Sequence, residues 1–224
     1  VLHPADELGN AAHQPVHATE DFRGGAGMNT SAKMILVLTL IAMISGGALS
    51  SWDGYTAPKI EQHRLEQLRQ AVGDVLPAHD EYKKVDADGM TFYVGKDGAA
   101  TVGIAFLTIG NGFQGEIRMM VGMQPDFSEI TGLAVLEQVE TPGLGTKIVT
   151  DPSNKENPDW FTDQFKGLRP QPEIEALRNQ SPQKDNQIQA ITGATISSKA
   201  VVDILNSTIE QAKKKYNSIK EQVS

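Results

Sequence analysis

A cluster of hydroxyl side chains near the C-terminus is the part of the chain best suited to chemistry. Residues 192–198 have the sequence TGATISS, in which four hydroxyls surround one glycine. The apolar residues over 199–219 recur with helical spacing and predict a helix directly after this cluster. A small-residue turn that opens a helix presents backbone N–H groups and the positive end of the helix dipole, which suits a phosphate. The alternative is an ordinary helix cap, in which a hydroxyl accepts hydrogen bonds from the first turn.

The loop at residues 140–147, with the sequence ETPGLGTK, is the second candidate. It follows a predicted strand, and its proline and two glycines predict a tight, irregular loop with exposed backbone groups. A Gly-x-Gly backbone near a lysine allows close approach to an anionic planar ligand. A plain surface turn is the alternative interpretation of the same residues.

The composition excludes several classes of protein. The chain has no cysteine, so it has no disulfides, no thiolate ligands for iron–sulfur clusters and no cysteine nucleophile. It is acidic, with 28 acidic against 20 basic residues. Its basic cluster at residues 213–215 lies late in the last predicted helix, so we expect no nucleic-acid binding. The five histidines are scattered, three of them within the first 30 residues, and we expect no metal site.

The N-terminal part contains a long segment without charge. Residues 34–52 would extend about 28 Å as a helix, close to the thickness of the hydrocarbon core of a bilayer. We predict a transmembrane helix over residues 33–52, after a disordered segment over residues 1–32. Met28 is typical of a natural start, so residues 1–27 are predicted to be an upstream extension. A cleaved signal peptide is the alternative, although the apolar stretch is long for one.

The remaining residues predict a connector helix and one α+β domain. The connector covers residues 53–80, with Pro58 in the first turn of its helix and Pro77 ending that helix. Residues 81–224 form the domain, in which hairpin-length connections predict a mainly antiparallel sheet with packed helices. Three aromatic residues over 160–165 predict a short helix that contributes to the core more readily than to a ring-stacking wall. The predicted strands cover residues 90–94, 99–109, 116–123 and 130–139.

Two of these motifs together resemble a known family. The sequences ETPGLG at 140–145 and TGAT at 192–195, about fifty residues apart and combined with one N-terminal span, resemble the covalent-flavin subunits of the Rnf and Nqr respiratory complexes. The G subunit of Rnf is the more similar of the two, and GNGFQG at 110–115 belongs to the same resemblance. The family pattern has an aspartate six residues before the final threonine of its Gly-Ala-Thr motif, where this chain has Gln189.

The resemblance implies a cofactor and its attachment site. In that family the final threonine of the motif is joined to FMN by a phosphoester, which implies attachment at Thr195. A separate flavin transferase would install the flavin, since no base lies beside this hydroxyl in the sequence. The helix start would hold the phosphate, and the loop at 140–147 would approach the ring or the ribityl chain. The implied FMN-binding residues are Glu140, Thr141, Gly143, Leu144, Gly145, Lys147, Thr192, Gly193, Ala194 and Ser197, with Ser197 or Ser198 as the helix cap.

The resemblance also implies a role inside a membrane complex. The chain would be an electron-carrying subunit, not catalytic alone, of an ion-translocating oxidoreductase that couples ferredoxin:NAD electron transfer to ion transport. Its partners would be the other membrane, iron–sulfur and flavin subunits. Lys33 before the span predicts a single-pass protein of the inner (plasma) membrane with an extracytoplasmic domain. Two alternatives stay open: an anchored FMN-type domain that acts as a scaffold without flavin, and a stand-alone anchored flavoprotein reductase.

Overall fold

A computed structural model describes residues 29–223 of the 224-residue chain. The predictions for residues 1–28 lie outside the described residues. The chain divides into two compact units, one ending at Tyr55 and the other starting at Thr56.

Helix α1 is the long N-terminal helix and covers Thr30–Val75. Asn29 precedes it, and its side-chain oxygen accepts a hydrogen bond of 2.8 Å from the N–H of Ala32, as an N-cap residue does. The apolar side chains of its first part are exposed; Ile35, for example, is 66% exposed. By length and composition this is the one helix among the described residues able to cross a membrane.

The separate connector helix, which we predicted with Pro58 in its first turn, is instead a continuation of α1. Pro58 lies inside α1, and the helix ends at Val75, two residues before Pro77. A proline inside a helix removes one N–H donor, which costs one backbone hydrogen bond. The apolar segment before Pro58 and the charged, periodic segment after it both favour a helix, and together they override this local signal.

A five-stranded antiparallel sheet forms the centre of the second unit, with the strands in sequential order. This confirms the predicted α+β fold. The strands are β1 (Glu81–Ala87), β2 (Met90–Asp97), β3 (Ala100–Asn111), β4 (Glu116–Met123) and β5 (Ile130–Gln138). The remaining elements are a short 3₁₀ helix (Gly145–Ile148), α2 (Trp160–Asp163), the parallel strands β6 (Glu175–Leu177) and β7 (Gln187–Gln189), and α3 (Thr195–Val223).

The alternation of side chains along the strands divides the core into two layers. On one face of the sheet, Phe92 and Phe106 pack with residues of α3 such as Leu205. On the other face, Tyr93 and Ala105 pack with the end of α1. Phe92 and Tyr93 are consecutive in β2, and Ala105 and Phe106 are consecutive in β3. Because consecutive residues of a strand point to opposite faces of the sheet, each pair contributes one side chain to each layer. The predicted aromatic cluster also belongs to the core, because two of its three residues are fully buried, namely Phe161 and Phe165.

The end of α1 lies in a notch between β4 and β5. A Cβ atom on Gly122 would lie 2.1 Å from the carbonyl oxygen of Val75, and one on Gly132 would lie 2.8 Å from the Cα of Val75. The hydroxyl of Thr131 donates a hydrogen bond of 2.6 Å to the same carbonyl. Glycine at both positions therefore lets the helix end approach the sheet backbone, and Thr131 satisfies one of its terminal carbonyls.

Candidate functional site

Three segments converge on the buried side chain of Glu140. They are the turn between β3 and β4, the loop after β5, and the first turn of α3. One carboxylate oxygen accepts the backbone N–H groups of Phe113 and Gln114, at 2.7 and 3.2 Å. The other accepts the hydroxyl of Ser197 at 2.6 Å. Glu140 is only 4% exposed, so its carboxylate joins these segments from the inside.

Two glycines make room for this carboxylate. A Cβ atom on Gly112 would lie 2.2 Å from the first Glu140 carboxylate oxygen. A Cβ atom on Gly145 would lie 2.7 Å from the Cβ of Glu140 and 2.9 Å from the Ser197 hydroxyl oxygen. Glu140 and Ser197 therefore occupy the space that a side chain at Gly145 would need.

The outward part of the loop consists of residues 141–144. Gly143 has a φ of +74°, which favours glycine, and its N–H donates to the Thr146 hydroxyl at 2.9 Å. The Gln114 side-chain amide donates to the Thr141 hydroxyl at 2.9 Å, which links this loop to the β3–β4 turn. Leu144 is 47% exposed. The loop is thus held by its own hydrogen bonds while it presents backbone and an apolar side chain to solvent.

The TGAT motif forms the turn that leads into α3. The helix begins at Thr195, which is half-buried, and the exposed Gly193 has a φ of +86°. A Cβ atom on Gly193 would lie 3.4 Å from a methyl group of Leu144, so the turn lies against the loop after β5. Within the described residues, the N–H groups of Thr195, Ile196 and Ser197 have no hydrogen-bond acceptor.

The prediction that Ser197 or Ser198 caps the last helix needs a correction. Because α3 begins at Thr195, neither Ser197 nor Ser198 occupies the cap position in front of it. The Ser197 hydroxyl donates to Glu140. The Ser198 hydroxyl accepts the N–H of Ile191 at 2.9 Å and donates to the carbonyl of Ala194 at 3.0 Å. The two serines therefore fix the turn from within the first helical turn.

Lys147 is paired locally. Its ammonium group lies 3.2 Å from a carboxylate oxygen of Asp151 and 3.1 Å from the hydroxyl of Ser153. Hydrogen bonding from the Ser153 hydroxyl, followed by that from Lys147, lowers the pKa of Asp151 to about 2, against the opposing effect of burial. The Lys147 ammonium group thus belongs to a small hydrogen-bonded network in the segment that follows the loop.

Gln189 lies in β7, and its backbone is held by a side chain that sequence reasoning did not single out. The Gln164 amide oxygen accepts the N–H of Gln189 at 2.7 Å, and its amide nitrogen donates to the Gln189 carbonyl at 3.2 Å. A side-chain amide that meets both backbone groups acts like a neighbouring strand. No sequence signal marks Gln164, because its partner lies 25 residues away.

An apolar surface surrounds the convergence point. Four exposed hydrophobic residues lie on or beside the three segments, namely Phe113, Val139, Leu144 and Ile196. An open groove of about 630 Å³ lies between the β3–β4 turn and α3, and Lys199 and Asp203 are its charged lining residues. The site therefore combines N–H groups without acceptors, hydroxyls and an exposed apolar surface.

Comparison with known proteins gives matches along most of the chain. Residues 112–210, which contain all three converging segments, match the FMN-binding domain family. The chain is 32% identical to the G subunit of the ion-translocating oxidoreductase complex of Methanosarcina acetivorans, over 80% of this chain and 92% of the relative. It is 30% identical to the G subunit of the Na(+)-translocating ferredoxin:NAD(+) oxidoreductase complex of Acetobacterium woodii, over 80% and 89%.

A solved structure is also similar. The crystal structure of Shewanella oneidensis NqrC aligns with a TM-score of 0.49 and 18% identity, over 66% of this chain and 71% of that protein.

Proposed function

This chain belongs to the family of G subunits of ion-translocating oxidoreductase complexes, and on that premise we propose that it carries FMN covalently on Thr195. It is an electron-carrying subunit of an Rnf-type complex that couples ferredoxin:NAD electron transfer to ion transport, and it is not catalytic alone. Its electron partners are the iron–sulfur and flavin subunits of the same complex. When bound, FMN supplies the one- and two-electron redox chemistry, and the protein fixes its position.

The first turn of α3 supports this proposal, because it suits the phosphate of FMN. Thr195 is the first residue of α3, so its hydroxyl stands beside N–H groups that have no acceptor among the described residues. These groups and the helix dipole favour an anion at this end. The exposed Gly193 adds no side chain in front of the turn. The position of Thr195 is the single observation on which the proposed attachment rests.

Attachment needs an activated flavin nucleotide and an enzyme. We propose FAD as the donor: Thr195 Oγ forms the new P–O bond, the bond between the two phosphates breaks, and AMP leaves. The hydroxyl proton passes to a base of a separate flavin transferase. Glu140 does not serve as that base in this arrangement, because both of its carboxylate oxygens are buried and occupied by other donors.

The candidate FMN contacts separate into two groups by their exposure. The outward group is exposed or half-buried and would contact the flavin; it consists of Thr141, Gly143, Leu144, Thr192 and Gly193. The inward group is buried and would support these residues; it consists of Glu140, Gly145, Ala194 and Ser197. Lys147, which is paired with Asp151, would act through the electrostatic potential near the site.

The mass of the intact protein tests the attachment. Full-length protein purified from membranes of a host with a competent flavin transferase is expected to be heavier by one FMN minus water. Thr195→Ala removes the only hydroxyl proposed to form the bond, so this variant is expected to have the unmodified mass. Thr150→Ala changes an exposed threonine outside the candidate flavin contacts, and this matched control is expected to keep the added mass. An unmodified wild-type protein, or a modified Thr195→Ala, contradicts covalent attachment at this residue.

The apolar helix and the membrane-complex relatives indicate a single-pass membrane protein. We propose residues 33–52 as the anchor, 53–80 as the connector and 81–224 as the FMN-binding domain. The finer proposal is a plasma-membrane location with this domain outside the cytoplasm. Lys33 precedes the apolar segment and Asp53 follows it, which favours a cytoplasmic N-terminus.

A further inference from the structure

Glu140 is the buried carboxylate that connects the proposed attachment turn with the rest of the site. We propose that Glu140 is a positioning residue, which orients the Thr195 hydroxyl for flavin attachment by holding Ser197 in the first turn of α3. This inference rests on the proposed covalent function. It assigns to Glu140 a role that needs no contact with the flavin.

The exposure and bonding of Glu140 argue against direct flavin binding. The residue is 4% exposed, and each of its carboxylate oxygens already accepts at least one hydrogen bond from within the protein. All three donors are protein groups, two backbone N–H groups and one hydroxyl. A carboxylate would also repel the phosphate of a flavin nucleotide. Glu140 therefore suits a supporting position behind the turn.

The link from Glu140 to Thr195 is short. Ser197 follows Thr195 by two residues in the same helical turn, and its hydroxyl donates to Glu140 across 57 residues of sequence. Ile191 and Ala194 precede Thr195, and both are hydrogen-bonded to the Ser198 hydroxyl, which accepts the Ile191 N–H and donates to the Ala194 carbonyl. Thr195 thus lies between two fixed points, while its own hydroxyl has no partner among the described residues.

The other end of the link is the β3–β4 turn. The N–H groups of Phe113 and Gln114 hold the first carboxylate oxygen, so Glu140 cannot turn away from Ser197 without losing them. The backbone of Gly112 and that of Gly145 lie so close to Glu140 that a Cβ atom at either position would collide with it. Several contacts therefore restrict the direction of the carboxylate, as a positioning role requires.

The rate of flavin attachment tests this role. Full-length apo protein in detergent is mixed with purified flavin transferase and FAD, and covalent flavin is followed by mass and by fluorescence after denaturation. Ser197→Ala is expected to lower the maximal rate about tenfold or more, because a misplaced acceptor reacts slowly. The KM for the acceptor protein is expected to stay unchanged, since the exposed residues around Thr195 are intact.

Variants of Glu140 separate positioning from a general loss of structure. Glu140→Ala is expected to slow attachment as Ser197→Ala does, and the double variant is expected to be no slower than either single one, because both break one link. Glu140→Gln is expected to restore part of the rate, since its amide can keep both the backbone bonds and a bond with Ser197. The matched control Glu116→Ala changes an exposed carboxylate on β4 and is expected to react like wild type.

Hydrogen exchange provides a readout that does not depend on flavin. The Phe113 and Gln114 amides are expected to exchange faster in Glu140→Ala than in wild type, with unchanged exchange in the core strands. If Ser197→Ala gains flavin at the wild-type rate, the positioning role of Glu140 is wrong, while the proposed covalent function stands. Ser197→Ala alone decides between these outcomes if Glu140→Ala fails to fold. A wild-type protein that gains no flavin overturns the proposed covalent function, and this inference with it.

Discussion

The surroundings of Asp151 hold the pKa of its carboxyl below the ordinary value. Its carboxylate accepts the N–H of Ser153 at 3.0 Å and the hydroxyl of the same residue, and it pairs with Lys147. Its backbone N–H also donates to the carbonyl of Pro158 at 2.6 Å. Together these bonds connect Asp151 with residues before and after it in the polar segment that follows the candidate flavin loop.

The lowered pKa of Asp151 predicts a stability that depends on pH. Its ionised form is favoured in the folded protein, with a pKa of about 2 against an ordinary value of 3.8. The stabilisation is therefore fully present above about pH 4 and is lost as the pH falls towards 2. Asp151→Asn is expected to be less stable than wild type at pH 7.

Urea unfolding at a series of pH values measures this effect. The difference in unfolding midpoint between wild type and Asp151→Asn is expected to be constant from pH 7 to 5 and to shrink below pH 4. Asp126→Asn is an informative comparison, because its carboxylate has a lowered pKa in a separate Ser128 hydrogen bond. A difference for Asp151→Asn that grows as the pH falls contradicts the assignment.

The sequence indicates the residues of the candidate site better than it indicates their partners. The TGATISS and ETPGLGTK segments were both identified as candidates, and the structure brings them together. The contact between Ser197 and Glu140 crosses 57 residues, and local patterns contain no information on such a pairing. The same reason explains why Gly145 was interpreted as a residue that faces a ligand, whereas a side chain there would meet Glu140.

Among the elements, the end of α1 and its notch in the sheet lead to a second prediction on stability. Gly122→Ala places a methyl group against the Val75 carbonyl, which belongs to the backbone and cannot turn aside. We expect this variant to lose about 1–3 kcal/mol of unfolding free energy through overpacking.

A glycine in the same helix is the matched control. Gly73 lies in α1, and a Cβ atom there would meet nothing within 4 Å. Gly73→Ala is therefore expected to gain about 0.5–1 kcal/mol, because alanine loses less backbone entropy in a helix. Thermal or urea unfolding of the two variants compares them directly. A Gly122→Ala variant as stable as wild type contradicts the close approach of the helix end.

The elements that local patterns identified are those with a strong hydrophobic signal. Strands β2 to β5 and helix α3 alternate or repeat clearly, and all were predicted. Strand β1 was missed because its sequence, EYKKVDA, is mostly charged and only Ala87 is buried, as expected for an edge strand. Strands β6 and β7 have three residues each, which is too short for a periodic pattern.

For the whole molecule, the absence of cysteine makes the proposed orientation testable. Single cysteines can be introduced into a chain that has none of its own. Lys155→Cys lies in an exposed loop of the second unit, and Ser31→Cys lies at the exposed start of α1. A membrane-impermeant maleimide is expected to label Lys155→Cys in intact spheroplasts.

The second cysteine is the control for this experiment. Ser31→Cys is expected to react only after lysis, because the proposal places the N-terminus in the cytoplasm. The reverse pattern contradicts the proposed orientation and places the FMN-binding domain on the cytoplasmic side. Labelling of both positions before lysis shows that the membranes are leaky, and both positions are then measured again in sealed vesicles of known orientation.

The carboxylate shared by three segments also limits the order in which this sequence can change. Any side chain at Gly112 or Gly145 collides with Glu140 while that residue is present. A smaller residue at position 140 removes the carboxylate from both places, but the Ile117 side chain beside Gly112 and the Ser197 hydroxyl beside Gly145 remain. Substitutions at the two glycines therefore need changes at Glu140 and at a further neighbouring residue, so their tolerance depends on genetic background.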